Sequence, residues 1–172
     1  TVLADDPALT VRDAPAPRVP PLRVVFDRGL RLPPGSRLAR TAREVPVVVL
    51  AGAAPDPARA VALADAGVQV VPTTDLDDAL RTLRARFGVR HLFVEGGAAL
   101  ADALWAADRV DRLVIFRAPV VLGAGAVRPF LAAPGRRAER APRLPVVARH
   151  AYGDDVMTVH AVHPAPGAAV SP

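Results

Sequence analysis

The chain alternates short runs of β-branched and aliphatic residues with segments whose apolar residues recur every three or four positions. Apolar runs of four to eight residues are typical of buried strands. The alternation of such strands with helices favours a parallel α/β sheet in three layers. The predicted strands of this sheet lie at 22–27, 47–50, 68–71, 91–95 and 111–116.

Two of the intervening helices carry signals at both ends. One helix is predicted to begin at Asp56-Pro57 and to end at Gly67, because Asp favours the N-cap, Pro the first turn and Gly the C-cap. The second helix is predicted over about 76–87, with Thr74 or Asp75 as its N-cap and Gly88 at its end. A third helix is expected after Gly96-Gly97.

The end of the chain has a different pattern. Two last strands, near 146–151 and 156–162, are separated by the turn-forming sequence Gly153-Asp154-Asp155, so we expect an antiparallel hairpin at the sheet edge. The proline-rich stretch 7–21 is predicted to be an extended loop. A single domain over 1–163 is expected, followed by a flexible tail over 164–172.

The composition of the chain argues against several classes of protein and of binding site. No apolar run reaches about 18 residues, so a transmembrane helix is not expected. The absence of Cys excludes disulfides and thiolate chemistry and fits a cytoplasmic protein. The net charge of +5 comes from scattered arginines, and aromatic residues are only 4%, which argues against a nucleic-acid partner. The four histidines form no ligand cluster, so no metal site is predicted.

The strongest chemical motif is the junction at Glu95-Gly96-Gly97. A predicted strand ends on a carboxylate, and two glycines lead into a helix. Ligands of open α/β sheets bind at the carboxyl ends of strands, and a helix amino end attracts phosphate. Glycine allows a pyrophosphate to approach the backbone. The alternative is a plain tight turn with Glu95 in solvent, since a glycine pair alone has low specificity.

The opening segment, 1–12, is the second candidate. By itself it is typical of a loop with an Asx-type turn before proline. In a functional interpretation, Thr1 and Asp5 bond ribose hydroxyls, and the Arg12 guanidinium binds a phosphate through its two parallel donors.

Four short segments occur together in a specific order, and the match that they define covers nearly the whole chain. They are TVLADDPALTVR at 1–12, RVVFD at 23–27, VEGGAAL at 94–100 and VDRLVIFRAPVVLG at 110–123. This ordered set resembles the C-terminal reductase domain of the bacterial bifunctional deaminase/reductases of riboflavin biosynthesis. The resemblance implies a dihydrofolate-reductase-like fold and NADPH-dependent reduction of 5-amino-6-(5-phosphoribosylamino)uracil to 5-amino-6-(5-phosphoribitylamino)uracil.

The resemblance also implies two sets of binding positions. The cofactor set is Thr1, Asp5, Arg28, Gly97, Ala98, Ala99, Leu100, Ala101, Asp102 and Ala103. The substrate set is Leu9, Arg12 and Glu95. No catalytic proton donor is assigned, because positioning suits Glu95 better than proton transfer.

This chain departs from the family pattern in two ways. Position 28 often carries a small serine in the family, whereas Arg28 here either binds the 2′-phosphate of the cofactor or points to solvent. A first strand, a first helix and the zinc-dependent deaminase domain of the family are expected to be missing before Thr1. The resemblance further implies a homodimer, for which the apolar stretch 110–122 is a candidate interface. Two alternatives stay open: a similar NADPH reductase with another substrate, and an inactive nucleotide-binding fragment.

Overall fold

The computed structural model describes residues 2–15, 17–95, 97–121, 123 and 143–163. The chain forms two compact units, Thr1–Glu95 and Gly96–Pro172, which are described separately below. Thr1, Gly96 and the predicted tail over 164–172 lie outside the described residues.

The first unit is built on a parallel sheet of three strands. These are β1 (Arg23–Phe26), β2 (Val47–Ala51) and β3 (Gln69–Pro72), in the order β1-β2-β3. Both pairings are parallel, as the alternation of strands and helices predicts. All five residues of the central strand β2 are buried, which explains its uninterrupted apolar sequence.

Four helices accompany this sheet: α1 (Val2–Asp5), α2 (Arg37–Arg40), α3 (Pro57–Asp65) and α4 (Leu76–Phe87). The predicted caps of α3 and α4 are confirmed. Asp56 accepts a hydrogen bond of 2.9 Å from the Arg59 amide, and Asp75 accepts one of 2.8 Å from the Asp78 amide. At the end of α4, Gly88 adopts a φ of 65°, the left-handed conformation that favours glycine.

The first unit has three layers, with a core on each face of the sheet. Val47, Val49 and Ala51 of β2 belong to a cluster that includes Leu38 of α2 and Leu63 of α3. The remaining β2 residues, Val48 and Leu50, pack with Ala79 and Leu83 of α4. Alternate residues of β2 therefore serve opposite faces, and both faces are covered by helices.

The second unit contains α5 (Ala98–Ala106) and an antiparallel sheet of β4 (Arg112–Arg117), β5 (Val146–Tyr152) and β6 (Asp155–Ala161). The strand order is β4-β6-β5. The predicted hairpin forms, with Tyr152 opposite Asp155 across its turn. It was expected at an edge of the parallel sheet, but β6 lies between β4 and β5 in a separate antiparallel sheet. The strand predicted at 111–116 was expected in the parallel sheet, but β4 instead pairs antiparallel with β6. An apolar run marks a strand but carries no information on its direction.

Two further predictions are wrong in detail. The predicted strand at 91–95 is neither strand nor helix, and the Phe93 side chain is 70% exposed. An apolar run forms a strand only where a neighbouring strand pairs with it through hydrogen bonds. The sequence of the run does not show whether such a neighbour exists. The opening segment, expected to be wholly loop, begins with the short helix α1. In the described part of the chain, no helix is both long and apolar enough to cross a bilayer.

Candidate functional site

The three parallel strands of the first unit end at one edge of the sheet, and this edge is a candidate site for ligand binding. Asp27 and Arg28 follow β1, Gly52 follows β2, and Thr73 follows β3. The carboxyl ends of parallel strands lie on the same side of a sheet, and ligands of open α/β sheets bind there. The loops that carry these residues are therefore candidates for ligand binding.

The loops after β1 and β2 are in direct backbone contact. The amide of Gly52 donates a hydrogen bond of 3.0 Å to the carbonyl oxygen of Arg28. A Cβ atom at position 52 would lie 3.0 Å from that same oxygen, so a glycine suits this close approach. The contact fixes the backbone of Arg28 while its side chain remains exposed.

The buried side chain of Asp27 stabilises the loop that follows β1. Its side chain is buried, with the residue 5% exposed, and its Oδ2 atom accepts a hydrogen bond of 2.7 Å from the Leu32 amide. Its carbonyl accepts another from the Leu30 amide, and its Oδ1 atom lies 3.6 Å from Nε of Arg31. The loop that carries Arg28 is therefore held by a buried carboxylate.

The opening segment is anchored to the same unit at two points. Oδ1 of Asp6 accepts a hydrogen bond of 2.8 Å from the Arg37 amide at the start of α2. The carbonyl of Ala8 accepts one of 3.0 Å from Nη1 of Arg23, the first residue of β1. Leu9 is half-buried and packs against the core shared by α2 and α3. These contacts hold the segment that contains the predicted binding residues.

The polar site residues predicted in the first unit are exposed wherever the structure describes them. Asp5, at the end of α1, and Arg12 are exposed, as polar groups that reach a ligand must be. Glu95 is also exposed, at the end of a stretch that forms neither helix nor strand. The tethers at Asp6 and Ala8 bring Asp5, Leu9 and Arg12 onto one anchored segment, whereas Arg28 lies on the separate loop after β1.

In the second unit, α5 begins as predicted directly after Gly97, whose φ of 87° and ψ of 94° lie outside the helical region. The Gly97 carbonyl accepts hydrogen bonds of 3.0 Å from the amides of Leu100 and Ala101. Among the residues that the structure describes, no side chain caps this helix, and its first turn holds no acidic residue. The amides of Ala98 and Ala99 precede the first intrahelical bonds, so they are donors suited to an anion.

In the described part of the chain, the helices of nine or more residues are α3, α4 and α5, and α5 differs from the other two because no carboxylate caps its amino end. Asp56 caps α3 and Asp75 caps α4, so a carboxylate already occupies each of those amino ends. A phosphate would be repelled there. The first turn of α5 holds no acidic residue, which fits a diphosphate-binding role for the segment Gly97–Ala103.

Sequence reasoning missed three residues that organise this region: Arg23, Asp27 and Gly52. Arg23 interrupts an otherwise apolar run, and that interruption is the signal that could have identified it as a buried cation. Asp27 and Gly52 directly follow apolar strands, which is the position where functional loops of α/β sheets begin.

Comparisons with known proteins agree with this architecture. The family model of the RibD C-terminal domain matches residues 1–158. The riboflavin biosynthesis protein RibD of Aquifex aeolicus is 33% identical over 127 residues, covering 73% of this chain. The 2,5-diamino-6-ribosylamino-4(3H)-pyrimidinone 5′-phosphate reductase of Methanothermobacter thermautotrophicus is 32% identical over 167 residues, covering 94% of this chain.

The relatives are longer than this chain. The matched region spans 34% of the Aquifex protein and 76% of the Methanothermobacter reductase. Among solved structures, RibD of Acinetobacter baumannii (form 2) superposes with a TM-score of 0.77 at 25% identity, over 93% of this chain and 44% of that one. The riboflavin biosynthesis reductase Rib7 of Saccharomyces cerevisiae, at 19% identity and a TM-score of 0.65, shares the fold. The expected dihydrofolate-reductase-like fold is confirmed, and the chain belongs to the RibD C-terminal domain family.

Proposed function

We propose that this domain reduces 5-amino-6-(5-phosphoribosylamino)uracil to its ribitylamino counterpart, with NADPH as the hydride donor. The observation that carries the proposal is the amino end of α5, which has no side-chain cap and no acidic residue in its first turn. The family match over residues 1–158 supports the same reaction class.

The proposed cofactor-binding residues include Gly97–Ala103, whose first amides donate hydrogen bonds to the diphosphate. In the first unit, Thr1 and Asp5 bond the ribose hydroxyls. Arg28 binds the 2′-phosphate, because an exposed guanidinium on an anchored backbone is a strong phosphate ligand. A preference for NADPH over NADH follows from this assignment.

The proposed substrate-binding residues are Leu9, Arg12 and Glu95. Arg12 is exposed and binds the phosphate of the ribose 5-phosphate group through two parallel hydrogen bonds. Leu9 offers apolar contact from an anchored backbone. Glu95 accepts hydrogen bonds from polar N–H or O–H groups of the substrate and thereby orients it.

When bound, the nicotinamide supplies a hydride to C1 of the ribose in its open-chain imine form. The protein's own contribution is to fix both ligands so that this carbon faces the hydride donor. The anchored loops serve that orientation. No side chain of this domain is assigned as the proton donor.

A second candidate substrate is 2,5-diamino-6-ribosylamino-4(3H)-pyrimidinone 5′-phosphate. The Methanothermobacter relative carries the name of a reductase of this compound and matches 94% of the present chain. The two substrates differ only at C2 of the pyrimidine, where one carries an amino group and the other an oxygen. Both therefore fit the same phosphate and ribose contacts.

We further propose that the protein acts in the cytoplasm as a homodimer. The segment 110–122 contributes to the interface, since its Phe116 side chain is 64% exposed on β4. Analytical ultracentrifugation of the wild-type protein and of Phe116→Ser tests this assignment. A wild-type protein that is monomeric at micromolar concentration contradicts it.

The function itself is tested with the full-length protein. Quenching of NADPH fluorescence should saturate, and oxidation of NADPH should follow on addition of the uracil substrate. Parallel reactions with the 2-amino compound identify the preferred pyrimidine. Absence of saturable NADPH binding contradicts the proposal, whereas turnover of only the 2-amino compound selects the second candidate.

A further inference from the structure

Arg23 is a buried cation in a position where an apolar residue would be expected. It opens strand β1 and is only 2% exposed. Its guanidinium donates hydrogen bonds to the Ala8 carbonyl at 3.0 Å, to Oγ1 of Thr41 at 2.8 Å and to the Thr41 carbonyl at 2.9 Å. It also donates to the Val45 carbonyl. All of these acceptors are neutral oxygens.

Burial of this guanidinium carries an energetic cost that must be offset. Removal from water lowers the pKa of Arg23, and the charge of Glu44 counteracts that shift in part. Neutral carbonyls compensate a buried charge less completely than a carboxylate does. The planar guanidinium of Arg23 connects the opening segment to the stretch between α2 and β2. This connection is the best explanation for an arginine at this position.

The opening segment needs such a connection because its backbone is strained. Asp6, Leu9 and Asp13 have positive φ values of 40°, 49° and 54°. Non-glycine residues in this region carry a conformational cost and persist only where surrounding contacts enforce them. The Arg37 amide holds Asp6, and the Arg23 guanidinium holds Ala8, directly before Leu9.

We infer that Arg23 is a positioning residue for substrate binding: by fixing the Ala8 carbonyl, it holds Leu9 and Arg12 in the conformation that receives the phosphorylated substrate. The inference rests on the proposed substrate roles of Leu9 and Arg12. Arg23 itself is buried and acts through the backbone of the opening segment. The proposed cofactor ligands of the opening segment, Thr1 and Asp5, precede Asp6, which the Arg37 amide holds separately. Loss of the Ala8 hydrogen bond should therefore affect substrate binding more than cofactor binding.

The test compares Arg23→Met and Arg23→Lys with the wild-type full-length protein. Arg43→Met is the matched control, because Arg43 also donates to a distant backbone carbonyl, that of Asp65 at 2.6 Å, away from the opening segment. Three quantities are measured for each protein: the substrate KM, the Kd of NADPH, and the amide hydrogen exchange of residues 6–13 without ligands.

For Arg23→Met we expect a rise of about tenfold in substrate KM, the scale of one lost hydrogen bond to a charged group. The Kd of NADPH should change by less than about twofold, and amide exchange over 6–13 should accelerate by about tenfold or more. Arg23→Lys keeps the charge but not the planar donors, so its KM should rise by a smaller factor of about three. Arg43→Met should match the wild type in KM and in exchange over 6–13.

Unchanged KM in both Arg23 variants overturns the inference, as does an equal loss of substrate and cofactor affinity. Should Arg23→Met fail to fold, Arg23→Lys alone decides the matter by the same two criteria. Amide hydrogen exchange of residues 6–13 is measured without substrate. It therefore reports on the hydrogen bond from Arg23 to the Ala8 carbonyl even if the protein has no activity. A wild-type protein without activity but with accelerated exchange in Arg23→Met contradicts the proposed function and not the tether.

Discussion

The amide of Gly52 lies 3.0 Å from the carbonyl oxygen of Arg28, and this hydrogen bond joins the loops that follow β1 and β2. The two residues are far apart in sequence but adjacent at the carboxyl edge of the parallel sheet. Their contact sets the backbone position of Arg28, whose guanidinium is the proposed ligand of the cofactor's 2′-phosphate.

Gly52→Ala should destabilise the protein and weaken NADPH binding. The added Cβ would lie 3.0 Å from the Arg28 oxygen, so the loop must move. Such overpacking costs roughly 1–3 kcal/mol. Gly35→Ala is the control, since a Cβ at position 35 meets nothing within 4 Å. Thermal unfolding and NADPH titration are the measurements, and equal behaviour of the two variants contradicts the claim that the close contact matters.

Asp27→Ala should lower the free energy of unfolding by roughly 1–3 kcal/mol, because the buried Leu32 amide loses its acceptor. Asp65→Ala is a suitable control, because Asp65 is exposed in the last turn of α3, where a negative charge does not stabilise the helix. Urea unfolding of both variants gives the comparison. A loss in Asp27→Ala no larger than in Asp65→Ala would show that the buried carboxylate does not hold the loop.

Ala99→Glu should stabilise the fold slightly yet impair cofactor binding. Ala99 is exposed in the first turn of α5, where a carboxylate interacts favourably with the helix dipole by about 0.3–1 kcal/mol. The same charge repels a bound diphosphate, so the Kd of NADPH should rise by about tenfold or more. Ala106→Glu, in the last turn, should leave the Kd unchanged. An unchanged Kd in Ala99→Glu argues that the diphosphate binds elsewhere.

Arg28→Ala should remove the preference for NADPH. Loss of a charge-assisted hydrogen bond to the 2′-phosphate corresponds to roughly 1.5–3 kcal/mol, or at least a tenfold rise in the Kd of NADPH. NADH lacks that phosphate, so its Kd should not change. Arg84→Ala, an exposed arginine of α4, is the control. Parallel titrations with both cofactors decide the matter, and an equal effect on NADH and NADPH is incompatible with the assignment.

The elements that the sequence predicts correctly are those specified by local chemistry. Asp75 and Gly88 delimit α4 through a side-chain cap and a left-handed conformation, both of which depend only on neighbouring residues. The continuous apolar run of β2 likewise indicates a strand buried on both faces. The start of α5 after Gly97 is predicted for the same reason.

The elements that were missed depend on distant partners. The opening segment is typical of a local Asx-type turn before proline. The carboxylate of Asp6, which precedes Pro7, instead accepts a hydrogen bond from the Arg37 amide, 31 positions away. Arg23 forms hydrogen bonds with residues 15 to 22 positions away, which no local pattern reveals. Segment 91–95 has the composition of a strand, yet strand formation requires a neighbouring strand in register.

The most direct test of the proposed reaction follows the transferred hydrogen. The full-length protein is incubated with 5-amino-6-(5-phosphoribosylamino)uracil and NADPH that carries deuterium at C4 of the nicotinamide, in separate samples for the two faces of the ring. Direct hydride transfer predicts, for one of the two labels, a ribitylamino product with a single deuterium on C1 of the ribityl chain. Absence of that product, or a product without deuterium from either label, would contradict direct hydride transfer by this domain.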